Sequence, residues 1–196
     1  MQAPSEHNWQ VQEWQVQDRF LELHSRWMTL VGEHWQTDRG EILEYWRIEK
    51  ADSVIVLPIQ CDRILVPSPS YRPGIGQVTL DLPGGRIAEG QSPGQGAIDS
   101  LHRELGIVAI AITKLIPLNI QGWAVNSSFS NQKLYGFVAQ IQDNAQLLPE
   151  VGTETYPATS AGIHQLLQKL TCLQCRAVVL EWGLMALYGV GRSTCS

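Results

Sequence analysis

Charge is scarce in this sequence of 196 residues: Asp, Glu, Lys and Arg make up 17%, against about 25% in an average soluble domain. Like charges nowhere run together, and 14 Lys and Arg against 19 Asp and Glu leave a net charge of -5. A nonspecific nucleic-acid binder needs a basic patch, so that class is excluded. Long apolar runs are also missing. The longest, near Gly106 to Ile112, has the length of a strand, whereas a membrane span needs roughly 18 residues. The first 18 residues hold neither Lys nor Arg, and no apolar h-region. No secretory or transit signal is therefore expected, and the cytoplasm is the default compartment. A length of 196 residues excludes a disulfide-stapled miniprotein, and only four cysteines are present. Cys172 and Cys175 form a Cys-x-x-Cys pair without a second pair at zinc spacing, in a segment that reads as helix. A structural role is the simpler reading there, and reduced thiols suit the isolated Cys61 and Cys195.

What the chain does have is apolar material, 44% of its residues, and seven tryptophans. Its length suffices to bury roughly two thirds of the unfolded surface as one domain with an extension. The start interleaves Gln10, Gln12, Gln15 and Gln17 with Trp9, Val11, Trp14 and Val16, but the register breaks at Glu13, which argues against one continuous strand. Residues 1–24 are read as an arm. From Trp27 to Lys50 two β-rich runs flank Thr37-Asp38-Arg39-Gly40, predicting a hairpin over residues 25–50. Ser53–Ile59, Arg63–Val66 and Gln77–Leu82 read as short strands, with a Pro- and Gly-rich loop over residues 67–76. Ser92-Pro93 predicts a helix start and Gly106 its stop. Ile107–Ile120 is strand material interrupted by Pro117, Leu134–Ile141 alternates as a half-buried strand, and residues 160–190 read as two helices. Strands followed by a strand-loop-helix unit and terminal helices predict a layered α/β fold.

The segment Leu80 to Ile107, LDLPGGRIAEGQSPGQGAIDSLHRELGI, resembles the Nudix box with its preceding strand end. The family pattern is Gly, five residues, Glu, seven residues, then Arg-Glu-apolar-x-Glu-Glu-x-Gly-apolar. Started at Gly85, it reaches Gly106 and Ile107 without a gap, with Leu101 at the middle apolar position. Tyr71-Arg72-Pro73-Gly74-Ile75-Gly76 upstream looks in particular like the ADP-ribose pyrophosphatase branch, and the resemblance covers roughly residues 25 to 190. It implies a Nudix α/β/α sandwich over residues 51–196 with a small N-terminal β subdomain, and a homodimer in which the hairpin is a dimerisation element. Trp27, Trp35 and Trp46 fall in that segment, where packing and stacking on an adenine are the alternatives.

Glu side chains at i, i+3 and i+4 on one helix share a face and can hold hard divalent cations that neutralise a diphosphate and activate water. In this chain Gln91, Ser100 and Arg103 stand at three of the four acidic box positions, and Glu104 alone keeps a carboxylate. Their summed charge is zero, and Arg103 puts a fixed cation where Mg2+ would be drawn in. Asp99 is adjacent to that face and reads as an i,i+4 ion pair with Arg103. Glu89 reads as a solvated loop residue, and His102 as facing solvent or a packing neighbour. By resemblance, Gly84 and Glu104 would ligate the metal, Mg2+ or Mn2+ if the protein is active. Arg72 and Arg86 would face the diphosphate, and a general base would come from a later acidic loop, here Glu150 or Glu154. The reading this yields is a nucleotide-binding or regulatory protein for a ligand such as ADP-ribose, with hydrolysis lost or weak and no membrane or nucleic-acid partner. The alternatives are an active hydrolase of ADP-ribose or an ADP-sugar using unconventional ligands, and an oligomerisation module.

Overall fold

The structure, a computed structural model, describes residues 13–147 and 152–187. They fall into two compact units, one of residues 13–50 with 126–131, the other of residues 51–125, 132–147 and 152–187.

The first unit is a three-stranded antiparallel sheet of β1 (Gln15–His24), β2 (Thr29–Gln36) and β3 (Ile42–Glu49), with β2 in the middle. The expected break near Glu13 does not stop a strand from forming immediately after it. Two register shifts, between Val16 and Asp18 and between Arg19 and Leu21, absorb the irregular pattern as bulges. On one face Glu33, only 1% exposed, accepts hydrogen bonds from Arg19 Nε (3.1 Å), Arg47 Nε (2.9 Å), Arg47 Nη2 (3.0 Å) and Trp35 Nε1 (3.0 Å). The donation from Arg47, with its positive charge, outweighs burial and holds the Glu33 carboxyl below its usual range. Elsewhere in the sheet the Phe20 ring meets Trp46 edge-on at 5.4 Å and passes so close to Gly32 that a Cβ there would lie 2.6 Å from it. Residues 126–131 join this unit through Ile48 N–H donating to the Phe129 carbonyl (2.8 Å) and the Tyr45 hydroxyl donating to the Ser128 carbonyl.

The second unit is built on a seven-stranded mixed sheet. Its main path runs β10 (Trp123–Ala124), β11 (Lys133–Ile141), β4 (Ser53–Gln60), β5 (Arg63–Pro67), β12 (Thr153–Pro157), with β9 (Ile112–Pro117) also on β11 and β8 (Gly84–Arg86) also on β4. β4 and β11 run parallel in the centre. Alternate residues of the central strands feed two cores. Val54, Val56, Leu65, Phe137 and Ala139 pack with Ala97, Leu101 and Leu105 of α1 (Pro93–Leu105). Ile55, Leu57, Ile64 and Val138 pack with Leu166 of α2 (Ser160–Lys169) and Val178 and Val179 of α3 (Leu173–Leu187). One helix on one face and two on the other make the α/β/α sandwich anticipated from the sequence. β11 is buried on both faces rather than half-buried, because both layers of helices cover it.

The turn from β4 to β5 is two residues, Cys61 (φ 47°) and Asp62 (φ 56°), both left-handed as a tight hairpin turn demands. Part of the predicted 67–76 loop is β6 (Ser70–Arg72), which pairs with β7 (Gln77–Thr79) in a small ribbon. Among the described residues no helix is long and apolar enough to cross a membrane.

Candidate functional site

Helix α1 begins and ends where its local chemistry dictates. Ser92 Oγ accepts from Gln95 N–H (3.2 Å), Pro93 opens the first turn, and Gly106 at φ 73° closes the last, its N–H donating to the His102 carbonyl (3.0 Å). Burying Ala97, Leu101 and Leu105 fixes the helix rotation and brings Ser100, Arg103 and Glu104 beside β8. That strand lies unusually close to β4: a Cβ on Gly84 would meet the Val54 carbonyl oxygen at 2.5 Å. A glycine is therefore required, and the Gly84 backbone comes within reach of α1.

One guanidinium nitrogen organises what lies between them. Arg103 Nη2 donates to the Gly84 carbonyl (2.8 Å) and to Glu104 Oε1 (2.8 Å), and stands 3.4 Å from Ser100 Oγ. Gly84 N–H donates in turn to Glu104 Oε1 at 3.4 Å. Gly85 leaves the space the guanidinium uses, since a Cβ there would fall 2.8 Å from Nη2. Ser100, 2% exposed, gives its own proton to the Gly96 carbonyl (2.8 Å). Gln91 is a loop-to-helix latch: its Oε1 accepts from Ala88 N–H and its Nε2 donates to Asp99.

The Asp99–Arg103 ion pair expected from i,i+4 spacing does not form. Asp99 accepts from Gln91 and Gln95 instead, and these donations lower its carboxyl, while Arg103 is drawn to the richer set of oxygens at Gly84 and Glu104.

Mg2+ demands near-octahedral oxygen coordination at about 2.0–2.1 Å, usually with one or two carboxylates. Here one carboxylate, one carbonyl and one hydroxyl already surround a fixed cation, an arrangement that does not fit Mg2+ or Mn2+. At 56% side-chain exposure Arg103 faces solvent, where an anionic ligand can reach it, while Glu104 is 28% exposed.

Of the site residues read from the sequence, Gly84 and Glu104 are brought together. Arg86 is two residues along β8, exposed at the strand end. Arg72 on β6 is held by Asp81, its Nε donating to Oδ2 at 2.7 Å. Glu154 does not join them. It lies on the edge strand β12 rather than in a loop, opposite Val66 and on the face that packs against α2 and α3, and it accepts the Tyr156 hydroxyl proton at 2.7 Å. That hydrogen bond, after burial, helps push the Tyr156 hydroxyl up to about 12. Glu150 and Cys195 lie outside the described residues. Trp27 and Trp46 are exposed, with Arg26 4.5 Å over the Trp27 ring, whereas Trp35 is tied to Glu33. Asp81, which links Arg72 to the Cys-x-x-Cys segment, was not anticipated. Its signal was a lone carboxylate between the buried Leu80 and Leu82.

No protein-family model matches the sequence, and no curated protein matches it. A solved structure does: the chain is similar to an ADP compounds hydrolase at TM-score 0.70 and 19% identity, over 92% of this chain and 98% of the other. At that identity the likeness speaks to the fold, and it supports the Nudix-like sandwich implied by the Leu80–Ile107 segment.

Proposed function

We propose that the chain binds a nucleoside diphosphate derivative of the ADP-ribose class and has lost most metal-dependent hydrolysis, with the Arg103 guanidinium in place of a metal ion. The observation that carries this reading is the Arg103 contact to both Gly84 O and Glu104 Oε1. In it a permanent charge neutralises the carboxylate and still offers N–H donors to a phosphate. The fold shared with an ADP compounds hydrolase supports the ligand class, and Arg86 on β8 supplies further positive charge, whereas the Arg72 charge is taken up by Asp81. The function is then recognition, as a sensor or regulator, because a guanidinium can bind a diphosphate but cannot generate hydroxide as a metal does. The reading includes a homodimer, favoured by the exposed Phe20, Leu43 and Trp46 of the three-stranded sheet.

Two measurements on pure protein test it. ADP-ribose at 100 times its dissociation constant should stabilise the fold by about 2.7 kcal/mol without added metal. With Mg2+ or Mn2+, AMP formation should stay far below about 1 per second, an ordinary enzyme rate. Brisk AMP release would overturn the reading in favour of a hydrolase that uses Glu104 and Gly84 as ligands. No thermal shift would remove the ligand class.

A further inference from the structure

We propose that Asp81, Cys172 and Cys175 form a site for a thiophilic divalent cation of the Zn2+ class, separate from the α1 site and independent of the nucleotide reading. One ligand atom from each of the three residues lies within 4.8 Å of the other two. A tetrahedral ion with Zn–S near 2.3 Å and Zn–O near 2.0–2.2 Å sets its ligands about 3.5–3.8 Å apart, so side-chain adjustments of about an ångström would close the site.

The chain builds this cluster from distant segments and braces it. Leu80 and Leu170 form a β-bridge that pins residues 80–82 beside the entry to α3. Cys172 immediately precedes α3 and Cys175 lies in its first turn, so both sulfurs sit at the same helix end. Leu82 N–H donates to Cys175 Sγ at 3.4 Å, and Cys175 Sγ is 3.9 Å from Asp81 Oδ1. The other oxygen of that carboxylate, Oδ2, is held by Arg72 Nε (2.7 Å) and Thr79 Oγ1 (2.9 Å). A ligating carboxylate oriented this way by its neighbours, with its second oxygen aimed at two sulfurs, has the outer-shell support that metal sites require.

Charge and softness select the ion. Two thiolates and one carboxylate carry -3, a dication returns +2, and Arg72 supplies the remaining +1. Sulfur ligands exclude Mg2+ and Ca2+ and favour Zn2+ among the common divalent ions. Cys175 is buried and Cys172 half-buried, so the ion has an entry path, and a fourth position is left for water or an incoming ligand. Binding converts each thiol to a thiolate and releases its proton to solvent.

The test is a Co2+ titration of reduced full-length protein, followed by Zn2+ displacement. The expected result is one saturable Co2+ per chain with a sulfur-to-cobalt charge-transfer band and strong tetrahedral visible bands, both erased by Zn2+. Cys172→Ser should remove most of the charge transfer without unfolding the protein, since this side chain is not fully buried. Asp81→Asn should weaken binding by about tenfold or more, keep the charge-transfer band and alter the visible bands. Cys61→Ser and Cys195→Ser should change nothing. The proposal fails if no charge-transfer band develops, if it persists in a folded Cys172→Ser Cys175→Ser variant, or if Asp81→Asn binds Co2+ as tightly and with the same spectrum.

Discussion

Replacing Arg103 by Gln and by Glu should raise Mg2+ affinity in two graded steps. In the native protein a dication approaching Gly84 O and Glu104 Oε1 meets a guanidinium whose Nη2 lies 2.8 Å from each. The Arg103 side chain is 56% exposed, so the screening appropriate to it is near that of bulk water, where a unit charge pair about 4 Å apart is worth ~1 kcal/mol. Against a double charge, Arg103→Gln removes one such repulsion, ~2 kcal/mol or about 30-fold in dissociation constant. Arg103→Glu also adds an attraction, for ~4 kcal/mol or roughly a thousandfold. Salt in the physiological range shrinks both steps, so the ratio between them is the firmer quantity. Isothermal calorimetry with Mg2+ reads the series, and Mg2+ is the right probe because the Cys172–Cys175 thiols take it poorly. If both variants bind Mg2+ no better than native protein, or equally well as each other, the electrostatic reasoning is wrong.

Further outcomes follow from the same geometry. Gly84→Ala should cost about 2 kcal/mol or more, because the new Cβ meets the Val54 backbone, whereas Gly85→Ala should cost under about 1 kcal/mol, because it meets only the movable end of Arg103; thermal melts of the pair decide the ordering. Glu33 has a lowered folded pKa, so its stabilising share is full above the unfolded value of 4.5 and is lost as pH falls through the folded one. Acid titration of the native protein against Glu33→Gln, followed by Trp fluorescence, should show this acid-labile share only in the native protein. In metal-free reduced protein the Cys175 thiol donates to Cys172 and lowers it to about 6, while partial desolvation and the Asp143 contact push the exposed Cys61 up. Iodoacetamide at pH 7 should therefore label Cys172 before Cys61, as peptide mapping by mass spectrometry would read.

Legibility in the sequence followed the range of the interactions involved. Helix α1 was readable to the residue because Ser92, Pro93 and Gly106 act within one turn of their own positions. The grouping of Ser100, Arg103 and Glu104 on one side of α1 was readable for the same reason, since spacing along one helix fixes a face. β1 was hidden because its two bulges break the alternation by which a strand is recognised. β12 was hidden because Thr153–Pro157 becomes a strand only by pairing with β5, and with it went the placement of Glu154. The partners of Arg103 and Asp81 depended on the approach of β8 to β4 and on the Leu80–Leu170 bridge, contacts between distant segments that no local pattern encodes. Residues 126–131 belong with the first three strands for the same kind of reason, through backbone contacts to Ile48 and Tyr45.

The most direct test is a crystal structure with ADP-ribose and Mn2+, using the anomalous signal of manganese. The prediction is intact ADP-ribose with its diphosphate against Arg103, and no manganese peak between Gly84 and Glu104. A manganese ion bound to Gly84 O and Glu104 Oε1, with Arg103 displaced and AMP in place of ADP-ribose, would contradict it.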